Sequence, residues 1–133
     1  MNTVFERAVD VRWRDTDALG HVNHAVFLTY LEEGRDAFFT GVLHSDPMYV
    51  VAHIEMDFRA EVRLEDQRVT VRVEVERIGT TSVTTRETIL APAGTPVAEA
   101  RVVTVQWDPT LRKPIPFSAG SRELLAEHLV PPS

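Results

Sequence analysis

Between positions 15 and 24 the chain places Asp15, Asp17, Gly20, His21, Asn23 and His24. Carboxylates and imidazoles this close in sequence are groups that can move a proton. The residues that follow have helical spacing, so the cluster falls at a helix N-terminus. There, free N–H groups point outward and the dipole favours negative charge. A carboxylate beside such an end can take a proton from water while amides hold a developing oxyanion, which is what attack on a carbonyl requires. Each residue also has a plain structural role. Asp17 can act as a helix cap or turn acid, Asp15 can pair with an arginine or satisfy loop amides, and His21 can bond the backbone of its turn. His21, His24 and Asp17 could suggest a metal, but neither histidine is yet on a regular helix face, and none is expected. The Asp15-Thr16-Asp17 spacing is shared with magnesium-dependent transferases, yet nothing else here suggests a nucleotide-sugar site.

The elements that must position this cluster are legible from periodicity. Val9, Val11 and Trp13 alternate with Asp10, Arg12 and Arg14, which predicts a strand leading into it. From Asn23 to Leu43 the apolar residues fall at intervals of three and four: Phe27, Tyr30, Leu31, Gly34, Phe38 and Val42, with Leu28 and Ala37 widening the stripe. Asn23 is the expected N-cap. Arg35 is expected to pair with Glu32 or Glu33 on the solvated side, Glu32 having the better spacing. Four further strands are predicted over Val50–Phe58, Arg68–Arg77, Ser82–Leu90 and Val97–Trp107. In the first of them Ala52, Ile54, Met56 and Phe58 should face inward. Gly79 and the stretch Pro92–Pro96 mark the turns between the last three. A short helix over Arg122–Leu129, led by Ser118 or Ser121, closes the chain. The order is strand, long helix, four strands, short helix. Its simplest packing is an antiparallel sheet wrapped around the long helix, with the other sheet face wet or paired with a second chain.

Composition narrows the function. One domain over residues 1–133 is expected from the length, and the chain has no cysteine, so disulfides, cysteine-bound metals and a cysteine nucleophile are excluded. The net charge is -6, which argues against general nucleic-acid binding. No stretch is long and apolar enough for a membrane span, and Met1–Asp10 has no apolar signal-like region, so the cytoplasm is the expected compartment. Lysine occurs once, at Lys113, and nearly all positive charge is arginine.

The stretch from Trp13 to Arg35 closely resembles the acyl-CoA thioesterases of the hotdog fold, in the 4-hydroxybenzoyl-CoA thioesterase-like group. The residues that carry the resemblance are Asp15, Asp17, Gly20, His21, Val22, Asn23, Tyr30, Glu32 and Arg35. Weaker signals follow at Glu65-Asp66, Arg77–Ser82 and Pro114-Ile115-Pro116. Two positions depart from the family pattern: His24 stands for a second asparagine, and Phe27 for a tyrosine.

The resemblance implies an α+β hotdog fold, a five-stranded antiparallel sheet around one central helix, and hydrolysis of an acyl-CoA thioester to acid and coenzyme A. Asp17 would be general base or nucleophile, helped by its place at the helix dipole. Backbone N–H groups near Asn23 and His24 would polarise the carbonyl, and the His21 and Asn23 side chains would hold the loop and position water or carboxylate. His24, Phe27 and Tyr30 would meet the substrate. Arg59, Arg77, Arg86 and, less so, Lys113 are candidates for the phosphates of coenzyme A, and Thr81 and Ser82 for its pantetheine arm. No metal or cofactor is implied, because the thioester is already activated. The resemblance also implies self-association to a dimer or tetramer, with the site at a dimer interface. Two other readings stay open: a non-catalytic acyl-CoA or acyl-carrier binding module, and a dehydratase acting on hydroxyacyl thioesters.

Overall fold

The computed structural model describes residues 4–45 and 48–131. Strand β1 (Phe5–Asp10) is followed by helix α1 (His24–Leu43), strands β2 (Tyr49–Phe58), β3 (Arg68–Ile78), β4 (Ser82–Leu90), β5 (Pro96–Asp108) and β6 (Lys113–Pro114), and helix α2 (Ala119–Ala126). The main strands lie in the order β1-β3-β4-β5-β2, all neighbours antiparallel, and the two-residue β6 pairs with β5. The β3-β4-β5 run is a pair of hairpins, turning at Gly79 and over the residues before Pro96, where the turn signals predict.

Alternation sorts β3 cleanly. Val69, Val71, Val73 and Val75 are buried against the helix, while Arg72 and Glu74 stay on the wet face with Arg86 and Arg101. The helix buries Phe27, Tyr30, Leu31, Gly34, Arg35, Phe38, Phe39 and Val42. Its hold on the sheet is close at Gly34, where a Cβ would lie 2.4 Å from a methyl carbon of Val71. Leu28 departs from the expected stripe and is exposed. Arg35 also departs, since it enters the core instead of pairing with Glu32 or Glu33. Its Nε and Nη2 donate to the two oxygens of Glu87 at 2.9 and 2.8 Å, and Thr85 Oγ1 donates to the same carboxylate at 2.6 Å. Both members are almost fully buried.

Two edges need correction. The first strand ends at Asp10 and does not run to Arg14; Trp13–Asp15 form a single 3-10 turn, and Trp13 is exposed. The cause is Asp15, whose Oδ2 accepts the Arg12 N–H at 2.9 Å and ties the chain into a turn. Strand β2 has the predicted span, but its alternation does not sort inside from outside. Ala52, Ile54 and Phe58 are exposed along with His53, Glu55 and Asp57, and Met56 is half-buried. β2 is an edge strand with most of both faces open.

The other edge, β1, is short and carries Glu6, Arg7 and Asp10 toward solvent. Beyond the end of β1, the backbone of β3 is met by the tail. The Val75 N–H donates to the His128 carbonyl at 3.0 Å, and the Val130 N–H to the Val75 carbonyl at 2.8 Å. The tail helix runs Ala119–Ala126, earlier than expected, with Ser118 as its cap. Among the described residues no helix is long and apolar enough to cross a membrane.

Candidate active site

The loop between β1 and α1 is folded by its own polar groups. Asp15 sits beneath it, nearly buried, accepting the Arg12 N–H and, at 2.7 Å, the Tyr30 hydroxyl from the first turns of α1. Burial alone would push the Asp15 carboxyl up. The Arg12 amide, the Tyr30 hydroxyl and the Arg12 guanidinium outweigh that and hold it below its usual value. Burial first, and then Asp15, raise the Tyr30 phenol well above its usual value. The Asp15 carbonyl accepts the Asn23 N–H at 3.0 Å, which closes the loop on itself, and the Val22 N–H donates to the Val62 carbonyl at 2.7 Å, which pins it to the body.

Asp17 lies above this floor. Its N–H donates to the His21 carbonyl at 2.9 Å and its carbonyl accepts the Gly20 N–H at 3.1 Å, closing a tight turn in which Gly20 has φ +84°. A positive φ of that kind suits glycine, which has no Cβ to clash. The carboxylate is 30% exposed. Oδ1 accepts the Leu19 N–H at 2.9 Å, while Oδ2 faces Nδ1 of His21 at 3.6 Å. One oxygen is thus anchored by an amide, and the other faces the His21 ring. Asp17 does not cap the helix. That task belongs to Asn23, whose Oδ1 accepts the Ala25 N–H at 2.9 Å.

The cap also decides which amide is available. The Asn23 N–H is spent on Asp15, the Ala25 N–H on the Asn23 side chain, and the Val26 N–H on the Asn23 carbonyl. Among the described residues no acceptor meets the His24 N–H, the remaining donor of the first turn. Of the two amides predicted to polarise a carbonyl, Asn23 is therefore ruled out and His24 is left. The His24 ring stacks on Phe58 at 4.4 Å and lies 6.5 Å from the His21 ring, so it marks the border between the loop and the lower end of β2.

The remaining predicted residues are spread out. Phe27 is fully buried, packed against Phe58 and His24. Tyr30 is fully buried too, with its hydroxyl committed to Asp15, so it holds the loop from behind and shows no face to a ligand in this protomer. Arg59 lies just past β2, at the loop end of the sheet, paired with Glu99 and Asp57. Arg77, Thr81 and Ser82 lie at the opposite end. Arg68, beside the loop, and Arg77 are separated by about 30 Å of β3 at the rise of an extended strand. One protomer therefore does not bring these three to Asp17. Arg86 is committed to Glu74 and Glu76 on the wet face, and Lys113 lies in exposed β6. Among the described residues no three histidine or acidic side chains converge as metal ligands would.

Sequence reasoning missed the Tyr30–Asp15 bond and a cavity of about 290 Å³ at the far end of α1, lined by Phe39, Leu43, Met48, Tyr49, Ile115 and Phe117 among others. Its lining comes from four separate segments, which leaves no local pattern to read.

A helix wrapped by a curled antiparallel sheet, with a carboxylate in the turn before the helix, defines a hotdog-fold thioesterase. The model of the Thioesterase-like superfamily matches residues 11–126, and the chain belongs to that superfamily. Over 119 residues it is 28% identical to the acyl-CoA thioester hydrolase YbgC of Escherichia coli O6:H1, covering 84% of this chain and 88% of that one. A predicted thioesterase from Bacillus stearothermophilus superposes with a TM-score of 0.88 at 30% identity, over 98% of this chain and all of that one. A thioesterase from Thermus thermophilus, solved in complex with coenzyme A and Zn, has a TM-score of 0.80 at 32% identity, over 92% of each chain.

Proposed function

We infer that Asp17 carries the hydrolysis of an acyl-CoA thioester to the free acid and coenzyme A. The observation that carries this reading is the division of labour in the loop. Asn23 caps the helix, Asp15 braces the turn, and Asp17 is left with an oxygen that meets only the His21 ring, at 3.6 Å, in the loop that leads to a helix end whose His24 amide has no acceptor among the described residues. In the reaction the thioester oxygen accepts the His24 N–H, and charge that develops on it is favoured by the helix dipole. Asp17 either takes a proton from the attacking water or attacks the carbonyl itself to give a mixed anhydride that water then opens. His21 holds the turn and flanks Oδ2, and Asn23 fixes the start of the helix. The thioester is activated enough that this set needs no metal or cofactor. His24, with Phe27 behind it, borders the substrate, and Arg59 is the cation best placed for its phosphates. Acyl-CoA as substrate makes the cytoplasm the compartment of action.

The working unit in this reading is a dimer joined along β2. Val50, Val51, Ile54 and Phe58 are each between 37% and 45% exposed on that strand, and an apolar edge of ten residues is one that proteins cover. Pairing β2 with its copy about a two-fold axis perpendicular to the sheet makes one continuous sheet with both helices on the same face. It also brings the far end of each partner, with Arg77, Thr81 and Ser82, to the end at which Asp17 stands.

The test is thiol release from a panel of acyl-CoAs. Asp17→Asn should lower turnover by about 10²–10⁴, the range for a lost positioned base, with the melting temperature little changed. Full activity in the variant would remove Asp17 from the reaction. Saturable acyl-CoA binding without thiol release by the wild type would instead support a binding module.

A further inference from the structure

We propose that Asp66 is a positioning residue for the reaction: it closes a turn in the segment between β2 and β3, and that turn sets where the Asp17 carboxylate stands. This rests on the reading of Asp17 as the group that drives hydrolysis.

The observation is a device used twice. Arg12-Trp13-Arg14-Asp15 and Arg63-Leu64-Glu65-Asp66 each have an arginine in first place and an aspartate in fourth. Each folds as a single 3-10 turn, over Trp13–Asp15 and Leu64–Asp66, entered from extended backbone. In each, the closing Asp Oδ2 accepts the N–H of the opening Arg, at 2.9 Å in the first turn and 2.8 Å in the second. The Asp N–H donates back to the carbonyl of the same Arg, at 2.9 and 3.0 Å. The exits differ. Thr16 leaves the first turn in extended backbone, whereas Gln67 leaves the second at φ +65°, a conformation that a residue with a Cβ resists. Such backbone persists only where its surroundings fix it. Here the Gln67 N–H donates to the Leu64 carbonyl at 3.0 Å, and the Gln67 carbonyl accepts the Val11 N–H at 2.9 Å. The exit of the second turn is thereby fastened to the entrance of the first.

The two turns hold different parts of the site. The first, through the Asp15 carbonyl and the Asn23 N–H, sets the start of α1 and with it the His24 amide. The second sets Asp17. Just ahead of it the Val62 carbonyl accepts the Val22 N–H at 2.7 Å, and Arg63 pairs across from His21 in an antiparallel bridge. His21 meets Asp17 twice: its carbonyl accepts the Asp17 N–H at 2.9 Å, and its ring faces Oδ2 at 3.6 Å. The path from the Asp66 carboxylate to the Asp17 carboxylate therefore runs through the Arg63 amide and His21. Glu61 and Glu65 also reach Arg63, but through its exposed guanidinium, at 3.8 and 2.6 Å, and surface pairs of that kind fix little. Without the Asp66 carboxylate the Arg63 amide is released, and relief of the Gln67 backbone gives the segment a reason to move. A shift of about 1 Å in a group that orients a reacting atom can cost roughly 10²-fold in rate.

The experiment measures kcat and KM for thiol release from acetyl-, hexanoyl- and palmitoyl-CoA. Asp66→Ala should lower kcat by about tenfold or more while KM stays within about twofold, because the misplacement is felt in the transition state and not in binding. Asp66→Asn keeps an oxygen for the Arg63 N–H and should restore most of kcat. Glu65→Ala, one position away, should leave both constants as they are. Asp66→Glu keeps the charge but moves the acceptor by one methylene; it should show the same fall in kcat, and it carries the test if Asp66→Ala does not fold.

Combining the Asp66 substitution with Asp17→Asn shows whether the effect passes through Asp17. The double variant should turn over little more slowly than Asp17→Asn alone, since groups that act as a unit are not additive. Wild-type kcat in folded Asp66→Ala or Asp66→Glu, an asparagine variant no better than these, or losses that add in the double variant would each overturn the proposal and leave Asp17 in its role. Full activity in Asp17→Asn, or a wild type that releases thiol from none of the three substrates, would instead remove the reading on which the proposal rests.

Discussion

The Tyr30 hydroxyl and the Asp15 carboxylate keep each other in fixed ionisation states beneath the turn that carries Asp17. Asp15 is held below the usual carboxylate range, so it contributes stability above its unfolded value of about 4, and that contribution fades as pH falls toward its folded value. Tyr30 is raised, so its share is present below about pH 10 and fades as pH climbs past that. Tyr30→Phe removes the donor and should cost about 1.5–3 kcal/mol, as for a hydrogen bond to a charged group. Urea unfolding across the pH range should show it losing stability less steeply than wild type on both the acid and the alkaline side. An unchanged slope would mean that the bond does not hold the loop. At this scale the sequence exposed only part of the site. Asp17, His21 and Asn23 are neighbours in the chain, and their turn chemistry is local. Tyr30 and Asp15 meet across 15 positions, and nothing in the spacing announces that a phenol from the apolar stripe will reach back to the loop.

The central helix illustrates what periodicity can and cannot deliver. Its intervals of three and four are enough to place Phe27, Tyr30, Leu31, Phe38 and Val42 in the core, because a helix over a sheet buries one stripe. Arg35 stands within that stripe, four residues after Leu31 and three before Phe38, and that position is the available signal that it is no surface cation. Its partner Glu87 is 52 positions away on β4, so the pairing could not be read locally. Glu87→Ala should cost about 3–5 kcal/mol, because it strands a guanidinium that is 4% exposed. Replacing both members by Arg35→Met with Glu87→Leu should recover most of that loss. Denaturant midpoints of the single and double variants decide it. If the double variant is no better than the single, the pair is more than a compensated charge.

At the level of the whole molecule, β2 explains why alternation misled. From Ala52 to Phe58 it alternates as a half-buried strand should, yet the described chain leaves most of both faces open. The pattern fits a covered strand, and the cover proposed above is a second copy of this chain. Ile54→Lys, which puts like charges near the two-fold axis, should shift the species seen in sedimentation from dimer to monomer. In the proposed dimer each site draws on both copies, so thiol release should fall with it. A variant that stays dimeric with full turnover would refute assembly along this strand. The first strand misled differently: its pattern ran on to Trp13, but Asp15 bends the chain before the alternation ends.

The two margins of the sheet are unequal, and that inequality limits growth. β2 is long and oily, whereas β1 has six residues with Glu6, Arg7 and Asp10 turned to water, and the tail seals the backbone of β3 beyond it. In the dimer proposed along β2, the outer rims of the pair are both of the β1 kind, charged and short. A third molecule finds no template there, so the association terminates itself and does not lengthen into a fibre.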